Sequence, residues 1–561
     1  MNHQEKIFQF MEASDFYPHP VSKIEQRETH ISKVFLTGTY VYKIKKSVNL
    51  EFLDYTTLAK RNYYCHQETT LNRRLSHNIY LGVVAITVKE GRYYLSGPGK
   101  PVEYAVKMRQ LPEDRSLIRM LKDEKVHSAA IEQLARMLAD FYQCSATGGK
   151  ITGFGSWETI RANCEENFGQ MERFAGEMFN DRIFHVIRAA TRSYLIRRQP
   201  LFQHRTENGK ICDCHGDLRS GHVYFDDGIQ IIDCIEFNER YRYSDIASDL
   251  AFLAMDLDFE GFPEMAEHLI NFFAQYANDS DMFVLINFYK CYRALIRTKV
   301  NCLRLENSTI GDWGRSRIRR EIDRYMDLAY GYASQFTRPT LWVVCGMPAS
   351  GKSTISNELS RILDIKVFCS DLVRKELFGL KPHDFMDVPF EKGIYSKGAS
   401  SLTYGKLLLL AQEEIEKGDS VILDATFSNT HQRGEALRLA GDTDANIVFV
   451  ECLSPVNLSK ARLMKRRTGS FISDARLRHF EQFKNRFEPL NEIPDEIHIS
   501  IDSGRPLKES IQKILSQDNM MPDRENIRAG SSSRIVKNSP FRERTPGVKH
   551  RTIRKGEGNV H

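Results

Sequence analysis

No stretch of the 561-residue chain reaches the roughly 18 consecutive apolar residues that a membrane-crossing helix requires. The N-terminus, MNHQEKIFQFMEASDF, lacks a basic segment leading into an apolar core, the mark of a secretory leader. A cytoplasmic protein with no membrane partner is therefore expected. No internal repeat is present, which excludes a solenoid or propeller. The eleven cysteines lack paired metal-ligand spacing. The tightest group, Cys212, Cys214 and His215, has no matching distal pair, and Cys345 and Cys369 end apolar runs, as reduced, buried thiols do. The bulk of the chain also lacks net charge. Residues 521–561 hold ten Lys and Arg against four Asp and Glu, which accounts for the whole formal charge of +6. Any weak contact with nucleic acid is expected through this tail alone.

What is present divides into three parts. Strands are expected around residues 31–46, 78–95 and 102–111, followed by helical periodicity from about 116 to 200, interrupted by the loop TGGKITGFGSW. The runs HVYF and IQIIDCIEF are joined by Asp226, Asp227 and Gly228, a hairpin turn signal, and helical patterns resume over 240–335. A β-rich lobe thus precedes an α-rich one in residues 1–337. Over 338–518, apolar runs at 341–345, 366–369, 420–423, 447–452 and 497–501 alternate with helical segments, as in an α/β parallel sheet covered on both faces. Residues 519–561, rich in Arg, Ser, Asn, Gly and Pro, read as a disordered basic tail.

The strongest motif is Gly346, Met347, Pro348, Ala349, Ser350, Gly351, Lys352, Ser353, followed by Thr354. It fits the Walker A pattern G-x-x-x-x-G-K-S/T, fed by the strand LWVVC and left by a helix. Its glycines let backbone N–H groups turn onto phosphate oxygens, Lys352 reaches the β- and γ-phosphates, and the Ser353 hydroxyl is a Mg²⁺ ligand. Asp371 follows the second strand, where it can take a proton from an acceptor hydroxyl while Arg374 neutralises substrate charge. A helix N-cap is the alternative for Asp371. Asp424, ending the next strand, occupies the Walker B position for Mg²⁺, with Thr426 beyond it. Arg462, Lys465, Arg466 and Arg467 crowd one helical stretch. They read either as a solvated basic helix or as a lid closing over the transferring phosphoryl group.

With GMPASGKST, SDLVR, LDAT and the arginine-rich stretch, residues 340–515 resemble the small P-loop kinases grouped with polynucleotide kinase and zeta toxins. That resemblance implies ATP binding, Asp371 as general base, and Arg462, Arg466 and Arg467 as lid contacts to the nucleotide.

A second constellation lies upstream. CDCHGDLRSGHVYF contains His215, Gly216 and Asp217, with His222 five residues after the Asp, and Asp233 ends the run IQII. In protein kinases the corresponding Asp positions the acceptor hydroxyl, and an Asn five residues on binds Mg²⁺. Lys43, on the strand TYVYK, can pair nucleotide phosphates and Glu68 can hold it, with Lys45 as the competing lysine. HGDL, IIDCIEFN and SDIASDLAFL resemble the aminoglycoside phosphotransferase family. Residues 1 to about 515 resemble bacterial proteins described as bifunctional aminoglycoside phosphotransferase and ATP-binding proteins. The resemblance implies a bilobal, protein-kinase-like α+β fold with Asp217 as catalytic base and Asp233 on Mg²⁺. His222 departs from the Asn of the motif, and the first lobe has no G-x-G-x-x-G.

The expectation is an ATP-dependent phosphotransferase with two nucleotide sites, using Mg²⁺ and transferring the γ-phosphoryl group to a hydroxyl of a small molecule or a nucleic-acid end. The alternative is a P-loop ATPase switch whose kinase-like half is a non-catalytic binding module.

Overall fold

The computed structural model describes residues 3–50, 53–306, 310–386, 388–465 and 473–519. The tail from residue 520 onward, with its expected disorder and nucleic-acid contact, lies outside the described residues, as do Arg466 and Arg467.

Six antiparallel strands open the first half: Glu25–Glu28 (β1), Ser32–Leu36 (β2), Tyr40–Lys45 (β3), Tyr80–Lys89 (β4), Arg92–Leu95 (β5) and Lys100–Arg109 (β6). They lie in the order β1-β2-β3-β6-β4-β5. Side chains alternate across a strand, so β3 serves two cores. Tyr42 and Ile44 pack with Ile7 and Met11 from and beside helix His3–Phe10 (α1). Val41 packs with Cys65 on the other face, under helix Leu58–Asn72 (α2). The same alternation puts Lys43 and Lys45 on the α2 side, facing Glu68.

The α-rich lobe is built around helix Ile246–Glu260 (α3), buried on nearly every side, as befits its apolar circumference. Its N-cap residue, Asp245, accepts from the Ala247 N–H and also pairs with the fully buried Arg205, which Asp279 holds from its other edge. Ile211–Asp213 (β7) pairs with Tyr243–Asp245 (β10), and Val223–Phe225 (β8) with Ile229–Ile231 (β9). The β8–β9 turn has Asp227 and Gly228 at positive φ, as its sequence leads one to expect. The expected loop around residues 147–157 contains one short helix, Gly149–Gly153.

Helix Asp312–Thr337 (α4) ends three residues before Thr340–Cys345 (β11), the first strand of a parallel sheet with Lys366–Cys369 (β12), Val421–Asp424 (β13), Asn446–Leu453 (β14) and His498–Asp502 (β15). The order is β12-β13-β11-β14-β15. Helices Lys352–Leu363 (α5) and Lys397–Glu416 (α6) cross this sheet. At their far ends they meet the first half: Arg197 donates to the Gly418 carbonyl just past α6, and Arg198 to the Leu363 carbonyl ending α5. A cation at a helix C-terminus complements the exposed carbonyls and the helix dipole.

Candidate functional site

In the C-terminal half, the loop between β11 and α5 takes positive φ at Gly346 (131°), Ala349 (63°) and Gly351 (98°). Glycine is required at 346 for a second reason, because a Cβ there would lie 2.6 Å from the Cys452 carbonyl oxygen. Lys352 opens α5 and folds over the loop, donating to the carbonyls of Gly346 at 3.1 Å and Met347 at 2.9 Å. Ser353 donates its hydroxyl to Asp424 Oδ2 at 2.6 Å. β13 lies beside β11 with Asp424 paired to Val344, which brings the two Walker elements together. Burial pushes the Asp424 carboxyl above the ordinary carboxylate range, against the pull of Lys352 and the Ser353 hydroxyl. A buried carboxylate and a hydroxyl form the hard-oxygen set that Mg²⁺ prefers, so these two residues fit the ion.

Asp371 sits in the first turn of helix Ser370–Leu377 (α7), but the N-cap residue is Cys369, whose side chain makes no capping bond. The capping alternative for Asp371 is thereby set aside. Asp371 lines a cleft of about 730 Å³ shared with Lys352, Ser353, Arg374 and Asp424. Arg374 is almost buried: its guanidinium donates to the Ile394 carbonyl at 2.9 Å and lies over the Tyr395 ring at 4.7 Å, while its Nε has no partner. It thus anchors the segment that forms the cleft wall as well as lining the cleft. Tyr395 in turn donates to Asp474 Oδ2 at 2.8 Å. Neither Tyr395 nor Asp474 belongs to a local motif, and no sequence signal singled them out.

Arg462, on helix Val456–Lys465 (α8), donates to the Ala349 carbonyl at 3.2 Å and to the Ser503 carbonyl at 2.9 Å. It therefore braces the phosphate loop from the β15 side. Thr354 is exposed in the first turn of α5. Met347 and Ala349 pack on Leu463 and Phe480, and the Ser350 hydroxyl is buried without a partner.

In the N-terminal half both candidate lysines converge on Glu68. Lys43 Nζ lies 2.8 Å from Glu68 Oε1 and 2.6 Å from Asp233 Oδ1. Lys45 lies 2.7 Å from Glu68 Oε2 and also pairs with Glu236, which accepts from Tyr55. Lys45 is 1% exposed and Lys43 15%. Lys43 is therefore the less buried of the two and reaches Asp233 as well, while Lys45 holds Glu68 from the buried side. The Glu68 charge survives its burial because the two lysines hold its carboxyl below the ordinary range. Burial likewise opposes the Asp233 charge, and the Lys43 ammonium outweighs it.

The HGD segment hangs from α3. Asp249 accepts the backbone N–H groups of His215 at 2.8 Å and Gly216 at 2.9 Å, and also the Tyr142 hydroxyl at 2.9 Å. His215 is fully buried, its Nε2 lies 3.0 Å from the Ile232 carbonyl, and burial lowers its pKa to about 4. The ring is neutral and donates from Nε2. Asp217 is gripped by Arg219, Nε to Oδ1 at 3.0 Å and Nη2 to Oδ2 at 3.1 Å. Enclosure opposes its charge, but the Arg219 and Arg297 guanidiniums outweigh this and hold its pKa at about 2.

His222 has both ring nitrogens engaged. Nδ1 is 2.9 Å from the Asp217 carbonyl oxygen, and Nε2 is 2.9 Å from Arg219 Nη2. A carbonyl only accepts and a guanidinium only donates. The proton therefore sits on Nδ1, and the Nε2 lone pair is taken by Arg219. Asp233 is paired with Lys43 rather than with an arginine. This donor set does not fit Mg²⁺.

Residues 103–281 match the family described as phosphotransferase enzyme family, and residues 341–490 match the one described as AAA domain. Fold and comparisons together define a fusion of a kinase-like phosphotransferase unit with a P-loop kinase-like unit. The chain belongs to the family of the uncharacterized protein Rv2004c of Mycobacterium tuberculosis, with 30% identity over 461 residues, 82% of this chain and 89% of that one. Human 6-phosphofructo-2-kinase/fructose-2,6-bisphosphatase 1 is 28% identical over 184 residues, 30% of this chain and 38% of its own length. Among solved structures, a choline/ethanolamine kinase family protein from Mesorhizobium loti aligns with 59% of this chain and 100% of its own, at 12% identity and a TM-score of 0.34.

Proposed function

We propose that the C-terminal site transfers the γ-phosphoryl group of ATP to a hydroxyl acceptor seated in the 730 Å³ cleft. The observation that carries this reading is that Asp371 and the phosphate-loop pair Lys352 and Ser353 open into that one cleft. ATP lies along the loop, with Lys352 leaving the Gly346 and Met347 carbonyls for the β- and γ-phosphates. Ser353 and Asp424 would hold Mg²⁺, which would supply charge neutralisation on the phosphates. Asp371 orients the acceptor hydroxyl and receives its proton as the acceptor oxygen bonds to the γ-phosphorus and the bridging oxygen departs with ADP. Arg374 fixes the acceptor wall and places a positive charge beside the substrate. Arg462 acts on the nucleotide through the loop it braces, and Arg466 and Arg467 are assigned to the closing lid.

In the N-terminal half, Lys43, Glu68, Asp217 and Asp233 are the nucleotide-site residues, with Asp217 the candidate base. A second reading applies to this half alone: a nucleotide-binding module without transfer. Engagement of Asp217 and His222 by Arg219 favours it. The functional units are residues 1–337, 338–518 and 519–561. None of the described helices is long and apolar enough to cross a membrane, and a cytoplasmic location is part of this proposal.

The test is incubation of the full chain with γ-labelled ATP and a metabolite and oligonucleotide extract. Label on an acceptor, lost in Lys352→Ala, supports the reading. Label released only as free phosphate supports the ATPase switch and overturns it.

A further inference from the structure

Phosphate-transfer sites of the kinase type need positive charge against the nucleotide, and usually Mg²⁺ delivers it. The N-terminal half arranges its charge differently. At the position where the kinase motif has a metal-binding Asn stands His222, whose two nitrogens face the Asp217 carbonyl oxygen and Arg219 Nη2 at 2.9 Å each. Both oxygens of Asp217 are occupied by the same guanidinium, at 3.0 and 3.1 Å. Arg219 thus stands between the candidate base and the residue at the metal position. Its fixed charge also acts on Asp233, which in turn anchors Lys43 at 2.6 Å.

We infer that this site takes the polyphosphate of a nucleotide without Mg²⁺, with Arg219 and Lys43 supplying the countercharge. The inference rests on the reading that the N-terminal half binds a nucleotide. Arginine suits the task. Its guanidinium stays charged at any accessible pH and presents five donors in a rigid fork that matches phosphate oxygens. Asp217 and His222 use donors on Nε and Nη2, which leaves the two N–H groups of Nη1 for phosphate while the fork stays held. His222 then acts as the rest that keeps the fork in place. Its Nδ1–H is committed to the backbone, so Nε2 can only accept. A divalent ion, by contrast, would have to displace Arg219 from three contacts and accept a nitrogen ligand where Mg²⁺ prefers oxygen.

The test is calorimetric titration of ATP into the full chain, with Mg²⁺ or with EDTA. Lys352→Ala removes the principal phosphate contact of the other site. In that background one equivalent of ATP is expected, with a Kd in EDTA within about threefold of that in Mg²⁺. Adding Arg219→Ala should weaken binding in EDTA by about tenfold or more, with thermal denaturation confirming a folded chain. Adding His222→Asn instead supplies an oxygen donor and frees the fork, so binding should become tighter in Mg²⁺ than in EDTA. If Lys352→Ala binds ATP only with Mg²⁺, the metal-free site is overturned while the nucleotide reading stands. Binding in neither condition overturns both. Binding in EDTA that is indifferent to Arg219→Ala removes Arg219 from the site and overturns the proposal.

Discussion

Ser353 and Asp424 are joined by a 2.6 Å hydrogen bond from hydroxyl to carboxylate, linking the start of α5 to the end of the neighbouring strand β13. Two short motifs 71 residues apart are thereby brought together beside the phosphate loop. The consequences can be measured.

Lys352→Ala should reduce nucleotide turnover at the C-terminal site by at least about 10²-fold, because the variant removes a fixed charge from a site where electrostatic stabilisation dominates. Steady-state release of ADP, compared with wild type, measures it. Undiminished turnover in a folded variant would remove the loop from the chemistry.

Asp371→Asn should lower acceptor phosphorylation by roughly 10² to 10⁴-fold and leave ATP affinity nearly unchanged. Because Cys369 is the N-cap residue, no capping bond is lost, and the stability change is limited to about 1 kcal/mol of helix-dipole interaction. Acceptor phosphorylation and ATP titration on this one variant separate a base from a merely structural carboxylate. Wild-type transfer would exclude Asp371.

Gly346→Ala should cost about 1 to 3 kcal/mol and abolish nucleotide binding, since a Cβ at φ 131° would press on the Cys452 carbonyl oxygen, 2.6 Å away. Thermal denaturation with and without ATP gives both quantities. A variant with wild-type stability would show that the loop relaxes away from β14.

The pH dependence follows from His215. Its folded pKa of about 4 lies below the ordinary 6.5 because burial penalises the charged ring. The unfolded chain therefore binds the extra proton first. The associated stability is complete above about pH 6.5 and is lost as the pH falls toward 4. Between pH 7 and 4.5 the loss from this group is about 2 to 3 kcal/mol. Denaturation midpoints of wild type and His215→Gln at the two pH values should converge on acidification. Parallel curves would mean that the ring is not the titrating group.

Apart from the exposed edge strand β1, the strands of both sheets, the β8–β9 hairpin and the phosphate loop are legible in the sequence because each depends on local alternation, turn chemistry or contiguous spacing. The four residues of β1 bury no face and so carry no alternation. The choice between Lys43 and Lys45 was not legible. Both lie on one face of β3, and only the positions of Glu236 and Asp233, about 190 residues away, tell the buried lysine from the partly exposed one. Asp249 was equally hidden. Its motif, SDIASDLAFL, is visible, but its function as acceptor for the His215 and Gly216 amides arises only when α3 packs behind that loop. Arg219 reads as an ordinary loop residue until Asp217 and His222 are seen on either side of it.

Arg197 and Arg198 touch the far ends of α6 and α5, the latter being the helix whose first turn carries Lys352 and Ser353. Heat that loosens the first half must also strip two cations from helix termini in the second, and loss of the second half would strand two arginines made to meet carbonyls. Calorimetry of the intact chain should accordingly record one endotherm where two independently melting modules would give two, so damage to either half is felt by both.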